Sequence, residues 1–290
     1  MFKRLLFIVA MFSLLIGTSY AANLKTFEFV GSVANKSHGA VVQEAKKALS
    51  KNFTVIGTYN PGDIKNLSVI ILKDKIYLNA VSKAKRNAFF AIPLRVGVET
   101  KGNKSNISFL NPRYTIAAFS KKNNVKKAAD KEKVKLLNDL KTISGISGTP
   151  KEYGYSSDDD SLAEWNMMGK SLYTLNKIGE FKDNKSAEAA VNAALKAKKN
   201  GWSKVYEVNL PNAIVIGVAN TKYEKEAFQI GGVNHLTAFP IELVIKSGEV
   251  IALPEMYRMS LYFMDAGMGA FMAHMSMPGL IDDSLSSLLK

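Results

Sequence analysis

Seven methionines crowd into the stretch from Met256 to Met277, with His274 among them. Thioether sulfur and imidazole nitrogen select copper(I) without any thiolate, so Met272, His274, Met275 and Met277 form a candidate copper site. The same residues have a plainer reading. Met264, Met268, Phe271, Met272 and Met275 recur at helical spacing, interleaved with Gly267, Gly269 and Ala273. That is the pattern of a core stripe whose unbranched side chains fill irregular gaps. A stripe facing the sheet of its own half is the expectation taken forward. The copper alternative needs a helix break near Ser276-Met277-Pro278, because along a helix successive residues point about 100° apart.

Other chemistry is sparser. His38, His235 and His274 are the only histidines, and their separation gives no shared site, so each is expected to be exposed or singly bonded. A hydrolase would need titratable groups to converge, with Asp265 beside Arg258 or His235 as the nearest option. Gly145-Ile146-Ser147-Gly148 is not a nucleophile elbow, because its second glycine arrives one residue early. No phosphate loop and no His-Glu-x-x-His pair occurs. Asp158-Asp159-Asp160 lacks the spaced ligands and glycine of a calcium loop; it reads as a helix cap and first-turn charge for Leu162 to Leu175. Cysteine is absent, which excludes thiol catalysis, thiolate metal sites and disulfides.

The elements that must position these residues begin after a leader. Lys3 and Arg4 precede the apolar run Leu5 to Ile16, and Ser19-Tyr20-Ala21 offers the small residues that signal peptidase reads. Residues 1–21 are therefore expected to be a signal peptide, and the protein to be exported, periplasmic or secreted. The apolar run is shorter than the roughly 20 residues that span a bilayer. Net charge is +14, and its densest part, Lys121 to Lys141, has eight lysines against three acids and no arginine. Nucleic-acid surfaces mix arginine and aromatics with their lysines, so a solvated basic helix face is expected, with no nucleic-acid partner and at most weak attraction to anionic lipid.

Alternation predicts strands at Leu24 to Val33, Phe53 to Tyr59 and Leu67 to Leu72. Apolar spacing predicts helices through Val41 to Leu49 and Lys75 to Phe90, and a helix whose apolar positions are Val134, Leu136, Leu137 and Leu140. The stretch Ala91-Ile92-Pro93-Leu94-Arg95-Val96 opens a hairpin that ends at Leu110-Asn111-Pro112. It returns as Ala238-Phe239-Pro240-Ile241-Glu242-Leu243 and Leu253-Pro254. Ile214 answers Leu67, Ala227 answers Ala80 and Pro240 answers Pro93, each at an offset of 147 residues. A constant offset with matching punctuation predicts internal duplication: a first unit at 22–141, a connector with a helix at 142–185, and a second unit at 186–290.

These dipeptides and their order resemble the domain of unknown function 302 family. The resemblance covers Val69 to Pro112 and, in the second copy, Glu242 to Ile245, Val250 to Leu253, Tyr257-Arg258-Met259, Phe271-Met272 and Pro278-Gly279. It implies an α+β fold of two pseudo-symmetric units, each a curved antiparallel sheet with helices on one face, as in the TATA-binding protein, and nothing about DNA. Family members with a cysteine before an Asn-Pro differ from this chain, which reads Ile71-Leu72-Lys73-Asp74 there. The family supplies no catalytic residues. The expected function is that of a non-enzymatic, cofactor-free exported protein binding an apolar or amphipathic ligand or a protein partner between sheet and helices. Copper handling and a hydrolase of unidentified site are the alternatives.

Overall fold

Two antiparallel sheets and the helices laid over them form the protein, whose computed structural model describes residues 23–84 and 86–290. The expected signal segment lies outside the described residues. The first sheet holds β1 (Leu24–Ala34), β2 (Thr54–Tyr59), β3 (Leu67–Lys73), β4 (Leu94–Lys101) and β5 (Lys104–Leu110) in the order β2-β3-β4-β5-β1. Short β6 (Ile146–Ser147) and β7 (Lys151–Ser157) extend it by pairing with the free side of β1. A small hairpin follows, β8 (Asn166–Met167) with β9 (Lys170–Ser171). The second sheet holds β10 (Asn176–Glu180), β11 (Ser203–Leu210), β12 (Ala213–Ala219), β13 (Ile241–Lys246) and β14 (Glu249–Ala252), in the order β11-β12-β13-β14-β10. With β10 matched to β1, the two orders are the same.

The apolar runs form the central strands. Six of the seven residues of β3 and all seven of β12 are buried, as fits strands covered on both faces. Helix α1 (His38–Leu49) turns Val41, Ala45, Ala48 and Leu49 onto the first sheet. After β3 comes α2 (Lys75–Ser82), capped by Asp74, and after β5 come α3 (Pro112–Phe119) and α4 (Asn123–Leu140). Asn111 caps α3 and Pro112 takes its first position, where a missing N–H costs nothing. Short α5 (Asp159–Ala163) precedes β8. In the second half α6 (Asn184–Lys196) covers the sheet through Ala187, Val191 and Leu195. Then α7 (Thr221–Gly231), capped by Asn220, follows β12 as α2 follows β3. Helices α8 (Glu255–Phe263), α9 (Met268–Ala273) and α10 (Met277–Ser286) close the chain.

What joins the halves is an exchange of short 3₁₀ segments. The segment Val233–Ala238, just before β13, lies on β3, β4 and β5 of the first sheet; the matching segment Arg86–Ala91, just before β4, reaches β13 of the second. The buried apolar residues form one continuous core.

Several expectations need correction. The second sheet starts at Asn176, inside the stretch expected to be connector, because β10 supplies its fifth strand. Asp158 does cap a helix, accepting from Asp160 N and Ser161 N, but that helix ends at Ala163, and a hairpin replaces the one expected to Leu175. The helix expected through Phe90 stops at Ser82. Val134 is 57% exposed, so the stripe of α4 runs instead through Val125, Ala129, Leu136 and Leu140. Its basic face is only partly solvated: Lys133 reaches Glu28 at 3.2 Å, Lys135 reaches Asp74 at 3.1 Å, and Lys126 reaches Asp159 at 3.1 Å. Among the described residues no helix is long and apolar enough to cross a membrane.

Candidate functional site

In a strand, successive side chains point to opposite faces. On β4 and β5, Val96, Val98, Ile107 and Phe109 point under the helices and are fully buried. The alternate residues Gly97, Glu99, Asn106 and Ser108 point the other way, toward the segment Val233–Ala238. There they border a cleft of about 410 Å³ lined by Phe29, Ser32, Glu99, Lys104, Asn106, Ser108, Lys151, Tyr153, Asn234 and Leu236. Gly97 sets how closely the lid segment approaches. A Cβ on it would stand 2.8 Å from Thr237 Cγ2 and 2.9 Å from Leu236 Cγ, so only glycine lets Leu236 sit on the strand and wall the cleft.

A polar row crosses the cleft over three neighbouring strands. The Ser32 hydroxyl donates to Asn106 Oδ1 at 2.8 Å, and Asn106 Nδ2 donates to Glu99 Oε2 at 3.4 Å. Tyr153 donates its hydroxyl to the Asn234 carbonyl at 2.9 Å, tying β7 to the lid, and burial pushes its phenol up. Behind it stands an aromatic stack. Tyr153 lies over Phe27 at 5.2 Å, Phe27 meets His235 edge-on at 5.2 Å, and His235 stacks on Phe263 at 4.9 Å. Lys151 holds its ammonium 5.9 Å from the Phe29 ring centroid.

The sequence-derived candidates fall elsewhere. His235 is 3% exposed and bonds Asp265 Oδ1 through Nε2 at 2.9 Å, while Nδ1 has no partner among the described residues. Arg258 does not join them: it pairs with Glu255 at 2.6 and 2.8 Å, donates to the Ala238 carbonyl at 2.7 Å and covers Phe239. His38 is neither free nor singly bonded. Its Nε2 is 2.8 Å from Ser68 Oγ and its Nδ1 2.8 Å from Thr100 Oγ1, and burial holds the ring below its ordinary pKa. This group lies on the helix side of the sheet, opposite the cleft, and its two ring nitrogens both meet hydroxyls, not a carboxylate that would orient a base.

The methionine stripe is not one helical face. Gly267, at φ 85°, separates α8 from α9, and His274 ends α9. Phe271 is buried, Met264 and Met275 are half-buried, and Met272 is 51% exposed. Of the four copper candidates, Met277 is fully buried, Met272 exposed, and His274 half-buried with Nδ1 3.8 Å from Glu226. The chain does break between Ala273 and Met277.

Between the sheets is a seam that sequence reasoning missed. Arg95 on β4 and Glu242 on β13, 147 residues apart, form a buried ion pair. Tyr206 adds its hydroxyl to Glu242 at 3.1 Å, and Arg95 also donates to the Thr237 and Ala238 carbonyls at 3.3 Å. Burial alone would lower the guanidinium, but Glu242 beside it raises it on balance, so Arg95 stays a cation. Gly217 makes room for the Tyr206 ring, since a Cβ there would stand 1.9 Å from it. Nearby, Glu224 on α7 accepts from Gly62 N at 2.7 Å and from Tyr59 Oη at 3.0 Å; burial pushes this carboxyl up to about 7.

A broader depression of about 790 Å³ lies between the start of α7 and α10. Several of its polar side chains are engaged: Asn220 caps α7, Asn200 bonds Ser287 and the Ser284 carbonyl, and Ser287 bonds the Asp283 carbonyl. The cleft on the first sheet, with Phe29, Tyr153 and Leu236 beside its polar row, is the better candidate. Among the described residues no group of three or more His, Asp or Glu side chains could hold a metal ion.

These elements define a mixed α+β protein with antiparallel sheets. No family model matches the sequence, and no curated protein is matched. Among solved structures the chain is similar to the crystal structure of an uncharacterized conserved protein, DUF302, from Bacillus stearothermophilus. Identity is 10%, the match covers 39% of this chain and 95% of that one, and the TM-score is 0.35. The likeness is one of fold alone.

Proposed function

We propose that this is a non-enzymatic, exported binding protein that holds a small amphipathic molecule in the cleft of its first sheet. One observation carries the reading: a cavity of about 410 Å³ has Phe29, Tyr153 and Leu236 as apolar walls and Ser32, Asn106 and Ser108 as convergent polar groups. Its size is that of small-molecule sites, and so is its mixture of apolar lining with a few placed polar atoms.

The reading includes an internal duplication, with each unit a curved sheet under helices in the manner of the TATA-binding protein. The shared strand order, the offset of 147 residues, and the helix caps Asp74 and Asn220 at corresponding places support it.

The test is titration of the purified protein with the neutral fluorescent amphipath N-phenyl-1-naphthylamine. Saturable binding at one site, abolished by Ser108→Trp, is expected. Saturable binding that Ser108→Trp leaves unchanged would place the ligand elsewhere, and no binding at all would remove the reading.

A further inference from the structure

We infer that the cleft is built for a carboxylate, taking an amphipath whose single negative charge sits between Lys104 and Lys151 and whose apolar body lies on Phe29 and Leu236. The inference rests on the binding reading above and specifies its ligand. Three observations carry it. First, both lysines line the cleft, are exposed, and make no ion pair among the described residues. Lys36, Lys133 and Lys135, by contrast, each hold a carboxylate. Second, the polar row runs in one direction. Ser32 donates to Asn106 and Asn106 donates to Glu99 Oε2, so the row ends on Glu99, and one Asn106 N–H is left over. Two ammonium groups and an amide N–H outnumber the one carboxylate of the lining, Glu99, and favour an acceptor-rich head. Third, the charged lining residues are two lysines and Glu99, a formal charge of +1. A monoanion neutralises that set, whereas a phosphate dianion would leave a negative charge beside Glu99.

The experiment displaces N-phenyl-1-naphthylamine with three probes that share one ring system: 1-naphthaleneacetate, its neutral isostere 1-naphthaleneacetamide, and 1-naphthyl phosphate. The acetate is expected to bind at least tenfold more tightly than the amide, with a preference that shrinks as salt is added. In Lys104→Met/Lys151→Met the preference for the acetate over the amide is expected to vanish; both side chains are exposed, so folding is preserved. Equal binding of acetate and amide to the native protein would overturn the carboxylate assignment and leave the cleft standing. A phosphate tenfold tighter than the acetate would overturn the choice of a monoanion. If none of the probes displaces bound N-phenyl-1-naphthylamine, this inference fails; if that dye itself does not bind, the cleft reading fails with it.

Discussion

Laid strand against strand, the two sheets differ most in the row that faces the exchanged segments. In the first sheet Gly97 pairs with Ser108 and Ser108 with Phe29; in the second, Val244 pairs with Ile251 and Ile251 with Lys177. One rung further, Glu99, Asn106 and Ser32 stand where the second sheet has Lys246, Glu249 and Glu180. Small residues leave the volume of the cleft in the first sheet. In the second, Val244 and Ile251 fill it and are buried, and Lys246 lies 5.2 Å over the Phe89 ring of the segment delivered from the other half. The same strand order thus carries an open face or a packed one according to the side chains at these positions. Burying each of the larger ones stabilises the second sheet by about 1.5–3 kcal/mol, a gain the first sheet forgoes.

The comparison breaks most severely at the seam. Glu242→Ala leaves Arg95 buried and unpaired, and a loss of about 3–5 kcal/mol is expected in urea denaturation. Arg95→Met with Glu242→Leu should recover most of it, since apolar replacement of a buried pair is often neutral. A single change costing under ~1 kcal/mol would show that the pair does not hold the sheets together.

The next effect is pH-dependent, and Glu224 on the second half's α7 contributes to it. Glu224 titrates near 7 when folded, against an ordinary value of 4.5. A raised carboxyl contributes its stability below the unfolded pKa and loses it as pH rises through the folded one. Stability should therefore fall between pH 4.5 and 7, by about 3 kcal/mol for this group. Asp282, also pushed up to about 7 by burial, acts in the same direction, so the comparison that counts is native protein against Glu224→Gln. The variant should show a flatter curve; identical slopes would exclude Glu224 as the source.

Smaller again is the middle row itself. Gly97→Ala forces a Cβ against Leu236 and Thr237 and should cost about 1–3 kcal/mol, as overpacking does, read as a lower melting temperature. No loss would mean that the lid segment yields freely. The smallest effect separates the methionines: Met259, fully buried, should tolerate Leu at under ~1.5 kcal/mol, and exposed Met272 within about 0.5 kcal/mol, by thermal melts.

Much of the fold was legible because its signals are local. Leu110-Asn111-Pro112 closes a strand, as read, and the runs at Leu67 and Ile214 are too continuous for anything but central strands; the helix that begins at Pro112 was not read. β10 escaped because Asn176 to Glu180 is half-polar and finds its partner β14 some 70 residues on. The methionine stripe misled because helical spacing says nothing of where glycine breaks the helix. The cleft was legible only in part. Asn106 and Ser108 alternate with Ile107 and Phe109, a sign of a polar strand face, but the walls come from β7 and from Leu236, more than 100 residues further along the chain. Long-range assembly of this kind leaves no mark in periodicity.

The position of the Arg95–Glu242 pair has a consequence for how such a molecule could arise. If the duplication proposed above is right, these two residues occupy the same place in their respective copies, and they meet each other. In a symmetric dimer of a single unit, whatever stood there would meet its own image across the two-fold axis, so an arginine would confront an arginine and a glutamate a glutamate. An attractive pair is impossible under that symmetry. Joining the copies in one chain removes the restriction, since each is then free to diverge alone. The opposite charges at the seam, and the open face beside a packed one, are both forms of asymmetry that a symmetric pair of identical chains cannot encode.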